Sequence, residues 1–330
     1  MFNKIDILEK IVNINLLYQR IQKRRALVEA HNKGQLGVSY ASRICAEEIP
    51  ECETIRLYPT EGKIPVDTEG VLVMLHGCGV DASQSSTMRK WIRLFGEKET
   101  SRKNMMWTQK HILRYENYTR LAVEAIDLPG HGVGPSLCGF QMLEQVVIWL
   151  GTYLKQKKAA ASNKPLFVIT RSSSAIFPAA VNRQYPGVID GMVFVSPSFP
   201  GEPEIIAQEV AAARENVRRG VYGAVNEEGI TWIEMMLQQA DWGHGEDFWG
   251  VPILILTAAE DIEVVDPARA HFKKMANRLP NVTYHEFNSE CHDFLSCEDA
   301  ARRGEALRGL QLIQDMFKRI VKKGLHSHRE

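Results

Sequence analysis

Ser172 is the residue in this chain whose setting best suits nucleophilic chemistry. It stands in Pro165-Leu166-Phe167-Val168-Ile169-Thr170-Arg171-Ser172-Ser173-Ser174-Ala175, where an apolar run of strand character leads into the serine. Small residues flank it two positions away on each side, Thr170 and Ser174. A tight strand-to-helix turn that lifts a serine hydroxyl out of the backbone needs small neighbours there, because bulk would strike the adjoining chain. The usual form of such a turn is G-x-S-x-G, and this one is T-x-S-x-S. Ser173 and Ser174 are weaker candidates. Choosing Ser173 puts Arg171 where a small residue is needed, and choosing Ser174 puts Ile176 there.

A hydroxyl at neutral pH is a poor nucleophile. It needs a histidine to take its proton and a carboxylate to fix that histidine's tautomer. Two later segments offer them at the ends of apolar runs. Ile253–Leu256 leads into Thr257-Ala258-Ala259-Glu260-Asp261-Ile262-Glu263-Val264-Val265, and Thr283–Phe287 leads into Asn288-Ser289-Glu290-Cys291-His292-Asp293. Glu260, Glu263 and Asp266 compete with Asp261, which is preferred for its spacing ahead of Val264-Val265. His292 alone of the ten histidines follows a late strand in a loop. His285 falls inside that strand, and His326 and His328 belong to the tail. The order Ser172, Asp261, His292 is that of a triad built on strand ends.

Acyl transfer also builds negative charge on an oxygen, which backbone N–H groups must meet. Val71–Leu75 runs into His76-Gly77-Cys78-Gly79, a glycine-rich turn that turns the Cys78 N–H toward such an oxygen. Ser173, next after the nucleophile, supplies the second donor. Cys78 as a nucleophile in its own right lacks a base, and His76 reads as a structural residue of the turn. A third turn, Asp127-Leu128-Pro129-Gly130-His131-Gly132, follows the run Leu121–Ile126.

The elements that must position these residues alternate. Strands at Val71–Leu75, Leu121–Ile126, Leu166–Ile169, Met192–Val195, Ile253–Leu256 and Thr283–Phe287 are separated by helical patterns. These helices fall near Met88–Phe95, from Gln141 to Lys155, after Ser172, near Pro267–Ala276 and from Ala301 to Lys322. Such alternation predicts a mostly parallel sheet covered on both faces. Earlier strands are expected at Gln35–Ser42 and Thr54–Tyr58, and residues 1–50 form an N-terminal extension with a helix over 4–31. Residues 51–199 and 251–330 make the core. Residues 200–250 hold no strand of the series, carry helical patches at Ile205–Arg219 and Thr231–Gln239, and read as a cap over a pocket. Its Trp232 and Trp242 are expected to line that pocket, among an apolar set that includes Met235, Met236, Leu237 and Trp249.

Composition bounds the function. The 330 residues are 45% hydrophobic and 24% charged, enough for a large core. Formal net charge is zero, so no global field draws in nucleic acid. One segment departs from that balance: residues 89–120 carry nine basic and three acidic residues. It is a solvated face or a site for an anionic head group or lipid surface. The six cysteines show no metal spacing, so no metal is expected. The N-terminal sequence lacks the long uncharged core of a signal peptide, and no apolar run reaches membrane-spanning length. The expectation is a soluble cytoplasmic protein.

Together these motifs resemble those of the α/β-hydrolase fold family, nearest to its lysophospholipase and monoacylglycerol lipase group. The resemblance covers roughly residues 54–322. It rests on Leu75-His76-Gly77-Cys78-Gly79, Asp127-Leu128-Pro129-Gly130-His131-Gly132, the Ser172 turn, Ala259-Glu260-Asp261 and Cys291-His292-Asp293. It implies an eight-stranded, mostly parallel sheet, a helical cap, no cofactor, and hydrolysis of an acyl ester through an acyl-enzyme on Ser172. Three departures stand out. Thr170 and Ser174 replace the elbow glycines, Arg171 occupies a position usually held by histidine or another aromatic residue, and Ser136 falls two residues late. Two other readings stay open. One is an aminopeptidase using an acidic cap residue such as Glu234 or Glu246, and the other is a catalytically silent binding protein of the same fold.

Overall fold

The computed structural model describes residues 55–56, 69–77, 121–126, 128–129, 142–162, 164–198, 202–219, 227–240, 250–261, 263–289 and 303–327, with single residues 140, 242, 248, 292 and 295. The expected N-terminal helix, the strand at Gln35–Ser42, Cys78, Trp249, Glu246 and the basic segment 89–120 lie outside the described residues.

Seven strands form one sheet: β1 (Ile55–Arg56), β2 (Gly70–Leu75), β3 (Leu121–Ile126), β4 (Leu166–Arg171), β5 (Gly191–Val195), β6 (Ile253–Ala258) and β7 (Val282–Phe287). Their order is β1-β3-β2-β4-β5-β6-β7. β2 to β7 run parallel, and the two-residue β1 pairs antiparallel with β3 at one edge. Eight strands were expected; the described residues supply seven. Strands β2 to β6 are apolar at nearly every position because helices cover both faces.

Six helices complete the described residues: α1 (Leu143–Ala160), α2 (Ile176–Gln184), α3 (Pro203–Arg218), α4 (Glu227–Gln239), α5 (Asp266–Arg278) and α6 (Arg303–Ser327). Alternating strand residues divide the core in two. Val71, Val73 and Leu75 face the cluster with α1, α2 and α5, while Leu72 and Met74 face the cluster with α6. α3 and α4 pack as a pair and lie between β5 and β6 in the chain, in the segment expected from sequence to form a cap.

The topology reverses at β2 and β4. The chain goes from β2 outward to β3, then returns across β2 to β4, so the connections leaving β2 and β4 diverge. A crevice opens at such a point, beyond the carboxyl ends of the strands. Register puts Leu75 opposite Thr170 and Arg171 opposite Val195, so the turns after β2, β4 and β5 emerge along one edge.

Glu124 is a buried charge within this scaffold. It points from β3 toward α1, where the Tyr153 hydroxyl donates to it at 2.5 Å and Lys157 pairs with it at 2.8 Å. The two partners sit one helical turn apart, so both reach one carboxylate. Tyr153→Phe should destabilise the fold by about 1–2 kcal/mol, because it removes one partner of a buried acceptor. A lower urea midpoint with an unchanged slope would be the expected result.

Candidate active site

Ser172 follows the last residue of β4 and opens a 3-10 turn, Ser172–Ala175, that continues into α2. Its φ is +55°, in the left-handed region. A non-glycine residue there costs on the order of 1 kcal/mol, and such strain concentrates at functional turns. Ser174 holds the turn closed: its hydroxyl accepts from the Arg171 N–H at 3.2 Å and donates to the Arg171 carbonyl at 2.8 Å. The Leu75 carbonyl of β2 lies 3.3 Å from the same hydroxyl. Sequence reasoning saw only that Ser174 is small; its hydroxyl also ties β4 to β2. Thr170 is fully buried and sits without a left-handed φ, its hydroxyl 3.5 Å from the Val193 carbonyl.

Gly77 faces this turn. A β-carbon at Gly77 would stand 3.1 Å from the Ser172 Cβ and 3.3 Å from the Arg171 carbonyl, so the turn after β2 needs glycine to approach the elbow. His76 anchors the same turn. Its Nδ1–H donates to the Gly77 carbonyl at 2.8 Å, and its Nε2 accepts the Leu128 N–H at 3.0 Å. Nδ1 thereby braces the turn after β2, and Nε2 joins it to the turn after β3.

Asp261 and His292 meet across the loops after β6 and β7. His292 Nδ1 lies 2.7 Å from Asp261 Oδ2, and the residues are 8% and 2% exposed. The Glu263 N–H donates to the other Asp261 oxygen at 2.8 Å. The backbone locks the two loops together, since the Glu260 N–H donates to the Ser289 carbonyl at 2.9 Å. Arg269, buried on α5, donates to the Asp261 carbonyl at 2.8 Å and to that of Val264, and also pairs with Asp266. Sequence reasoning missed Arg269. The available signal was the helix start at Asp266-Pro267, which brings the first turn of α5 under the acid loop.

Burial alone would raise the Asp261 carboxyl. The His292 charge and the hydrogen bonds from His292 and the Glu263 N–H outweigh it and hold the group below its ordinary value of 3.8. Burial alone would lower His292. The charges of Asp261 and Glu263 and the Asp261 hydrogen bond prevail and raise it above 6.5, against an opposing push from Arg171. Glu263 acts directly, with its Oε2 lying 3.5 Å from His292 Nε2, the nitrogen opposite the Asp261 contact.

One pocket gathers these groups. Arg171, Ser172, Ser173, Glu263 and His292 form its floor with Ser198. Glu209, Val210 and Ala213 of α3 and Ile230, Ile233 and Leu237 of α4 form its wall. Ser172, Ser173 and His292 thus share a cavity, with Asp261 buried behind His292. Among the described residues no hydrogen bond joins Ser172 to His292, a contact that often tightens only with substrate bound. No cluster of metal-ligating side chains occurs among the described residues.

Trp232 and Trp242 do not line this pocket, which corrects the expectation from sequence. Trp232 turns inward, donates from its indole to the Phe140 carbonyl at 2.8 Å and packs on Phe177. Trp242 is buried among Phe194, Phe248 and Phe272. The reason lies in helical phase. On α4, Ile230, Ile233 and Leu237 share the pocket face, while Trp232 and Met236 share the core face. With both faces apolar, sequence alone did not say which one met the cavity. Glu234 is paired with Arg214 at 2.8 Å.

No family model matches the chain, and no curated protein sequence matches it. Solved structures do. A lipase-esterase related protein from Clostridium acetobutylicum superposes with a TM-score of 0.51 at 10% identity, covering 78% of this chain and 97% of that one. An esterase from Pyrococcus furiosus gives 0.52 at 15% identity, covering 77% and 83%. The chain therefore has the α/β-hydrolase fold. Among the described residues no helix is long and apolar enough to cross a membrane.

The pH dependence of any reaction using His292 as a base follows from these charges. The base must be neutral, so the rate rises with pH through the His292 pKa, above 6.5. Glu263→Gln removes a charge that favours the protonated form and should move this rising limb to lower pH. A pH–rate profile of the variant beside the wild type checks the direction.

Proposed function

We propose that the chain is a serine hydrolase of carboxylic esters, with Ser172 as nucleophile, His292 as base and Asp261 as its orienting carboxylate. The observation that carries this reading is a strained, pocket-lining serine sharing its cavity with an imidazole whose far nitrogen is held by a buried carboxylate. Backbone strain of this kind clusters at functional turns, and perturbed, buried carboxylate–imidazole pairs in a cavity cluster at functional sites.

In this mechanism the Ser172 oxygen attacks the acyl carbon while its proton passes to His292 Nε2. The resulting imidazolium is stabilised by Asp261, whose lowered pKa keeps it ionised. The backbone N–H of Ser173, at the open start of the 3-10 turn, stabilises the oxyanion, and the N–H of Cys78 is the second proposed donor. His292 returns its proton to the leaving alcohol. Water then attacks the acyl-serine, its proton passes through His292 to Ser172, and the acid leaves. The apolar wall from α3 and α4 suits the carbon chain of an acyl group. Lysophospholipids and monoacylglycerols are candidate substrates. Contact of residues 89–120 with anionic lipid belongs to the same proposal.

A catalytically silent binding protein is the second reading. It is favoured by one observation: His292 Nε2 faces Glu263, and no hydrogen bond reaches it from Ser172. The aminopeptidase reading loses one of its supports, since Glu234 is engaged with Arg214.

Turnover of p-nitrophenyl esters of graded chain length separates these readings. The hydrolase reading expects activity that falls by roughly 10³-fold or more in Ser172→Ala and in His292→Ala, with the double variant little worse than either single one, because the groups act as a unit. Absence of turnover at every chain length by the folded wild type would favour the binding protein.

A further inference from the structure

Among the described residues four charged side chains line the pocket: Arg171, Glu209, Glu263 and His292. Three of them are already engaged. His292 holds Asp261 through Nδ1 and faces Glu263 through Nε2, and Glu209 has a partner of its own. Arg171 is the exception. Its Nε is shielded from solvent without a hydrogen-bond partner, and among the described residues no carboxylate pairs with its guanidinium.

Burying a charged donor without a partner is unfavourable, and proteins rarely leave one unless something else completes it. The position is also fixed. Arg171 is the last residue of β4, immediately before Ser172, and its backbone N–H and carbonyl are both bound by Ser174. Its Cγ lies in the direction of Gly77, 3.7 Å from where a β-carbon there would stand. The stem is thus confined between the two turns that meet at the nucleophile. A planar guanidinium held in this way is suited to carboxylate or phosphate oxygens, which it binds with two parallel N–H donors.

We infer that Arg171 is a specificity-determining residue that binds an anionic oxygen group, carboxylate or phosphate, on the ester substrate close to the bond being cleaved. This inference rests on the hydrolase reading above and narrows it. The substrate then combines a carbon chain against Val210, Ala213, Ile230, Ile233 and Leu237 with a negative group at Arg171. The carboxylates of Glu263 and Glu209 do not contradict this assignment, because each already has a partner. They do narrow the space in which an anion avoids repulsion to the vicinity of the guanidinium.

The test compares matched ester pairs that differ only in charge. One arm sets p-nitrophenyl hexanoate against the p-nitrophenyl half-ester of adipic acid, which ends in a carboxylate in place of a methyl. The other sets a monoacylglycerol against its phosphorylated counterpart. The wild type should prefer the anionic member in at least one arm, and the arm that responds says whether the anion belongs to the acyl or the alcohol side. In Arg171→Gln that preference, read as a ratio of kcat/KM values, should fall by about tenfold or more, the size expected for a lost charge-assisted hydrogen bond. Arg171→Lys should fall between the two. Taking the ratio cancels any effect of Arg171 on His292 that both substrates share. Equal ratios in wild type and Arg171→Gln, or no anionic preference in either arm, would overturn the inference. If the wild type turns over no ester, the hydrolase reading fails by itself. Thermal shifts with inorganic phosphate and with adipate then decide the inference: a wild-type shift lost in Arg171→Gln upholds anion binding, and no shift in either overturns it.

Discussion

A buried carboxylate–imidazole pair sets the terms for the rest of this molecule. Asp261 and His292 lie 2.7 Å apart with almost no solvent access. Taking two ionisable groups out of water is expensive, and their mutual attraction offsets the cost only when the remaining hydrogen-bonding capacity is met. Here it is met from several sides. The Glu263 N–H occupies the second Asp261 oxygen, Arg269 grips the Asp261 and Val264 carbonyls, and the Glu260–Ser289 bond joins the two loops. The loops themselves extend β6 and β7, which pair in register over their whole length. The sheet therefore works as a rigid base that brings residues 31 positions apart to hydrogen-bond distance.

The same edge of the sheet explains the serine. β2 and β4 are neighbours whose onward connections diverge, and the space between them is filled by two turns in close contact. Gly77 permits that contact, Ser174 bonds across it, and Ser172 is left with a left-handed backbone. Strain at one residue persists because the surrounding bonds over-determine it. Above this floor the described residues of α3 and α4 contribute aliphatic side chains and one carboxylate, so the pocket has an apolar wall and a charged base. That division restricts what fits: a carbon chain along the wall and polar atoms at the floor.

Much of this was legible in the sequence, for identifiable reasons. The strands β2 to β6 read as largely apolar runs because both sheet faces are covered. Asp261 and His292 were legible because each follows such a run within a few residues. What escaped detection depends on the direction of side chains. Trp232 and Trp242 looked like pocket aromatics, yet they fill the core, since α4 is apolar on two faces and the phase of the helix decides between them. Glu263 was weighed only as a rival to Asp261. Its place beside His292 Nε2 follows from the turn at Asp261, where its own N–H caps the carboxylate. Thr170 departs from the usual elbow glycine, yet the positive φ falls on Ser172, and Thr170 stays in extended β4.

The central claim is that Ser172 is activated by the Asp261–His292 pair. Labelling with a fluorophosphonate probe followed by peptide mapping tests it most directly, because such probes react with a serine only when its base and oxyanion donors are in place. A single adduct on Ser172, lost in Ser172→Ala and in His292→Ala, is the predicted result. A folded protein that takes no label, or takes it on another serine, would contradict the account.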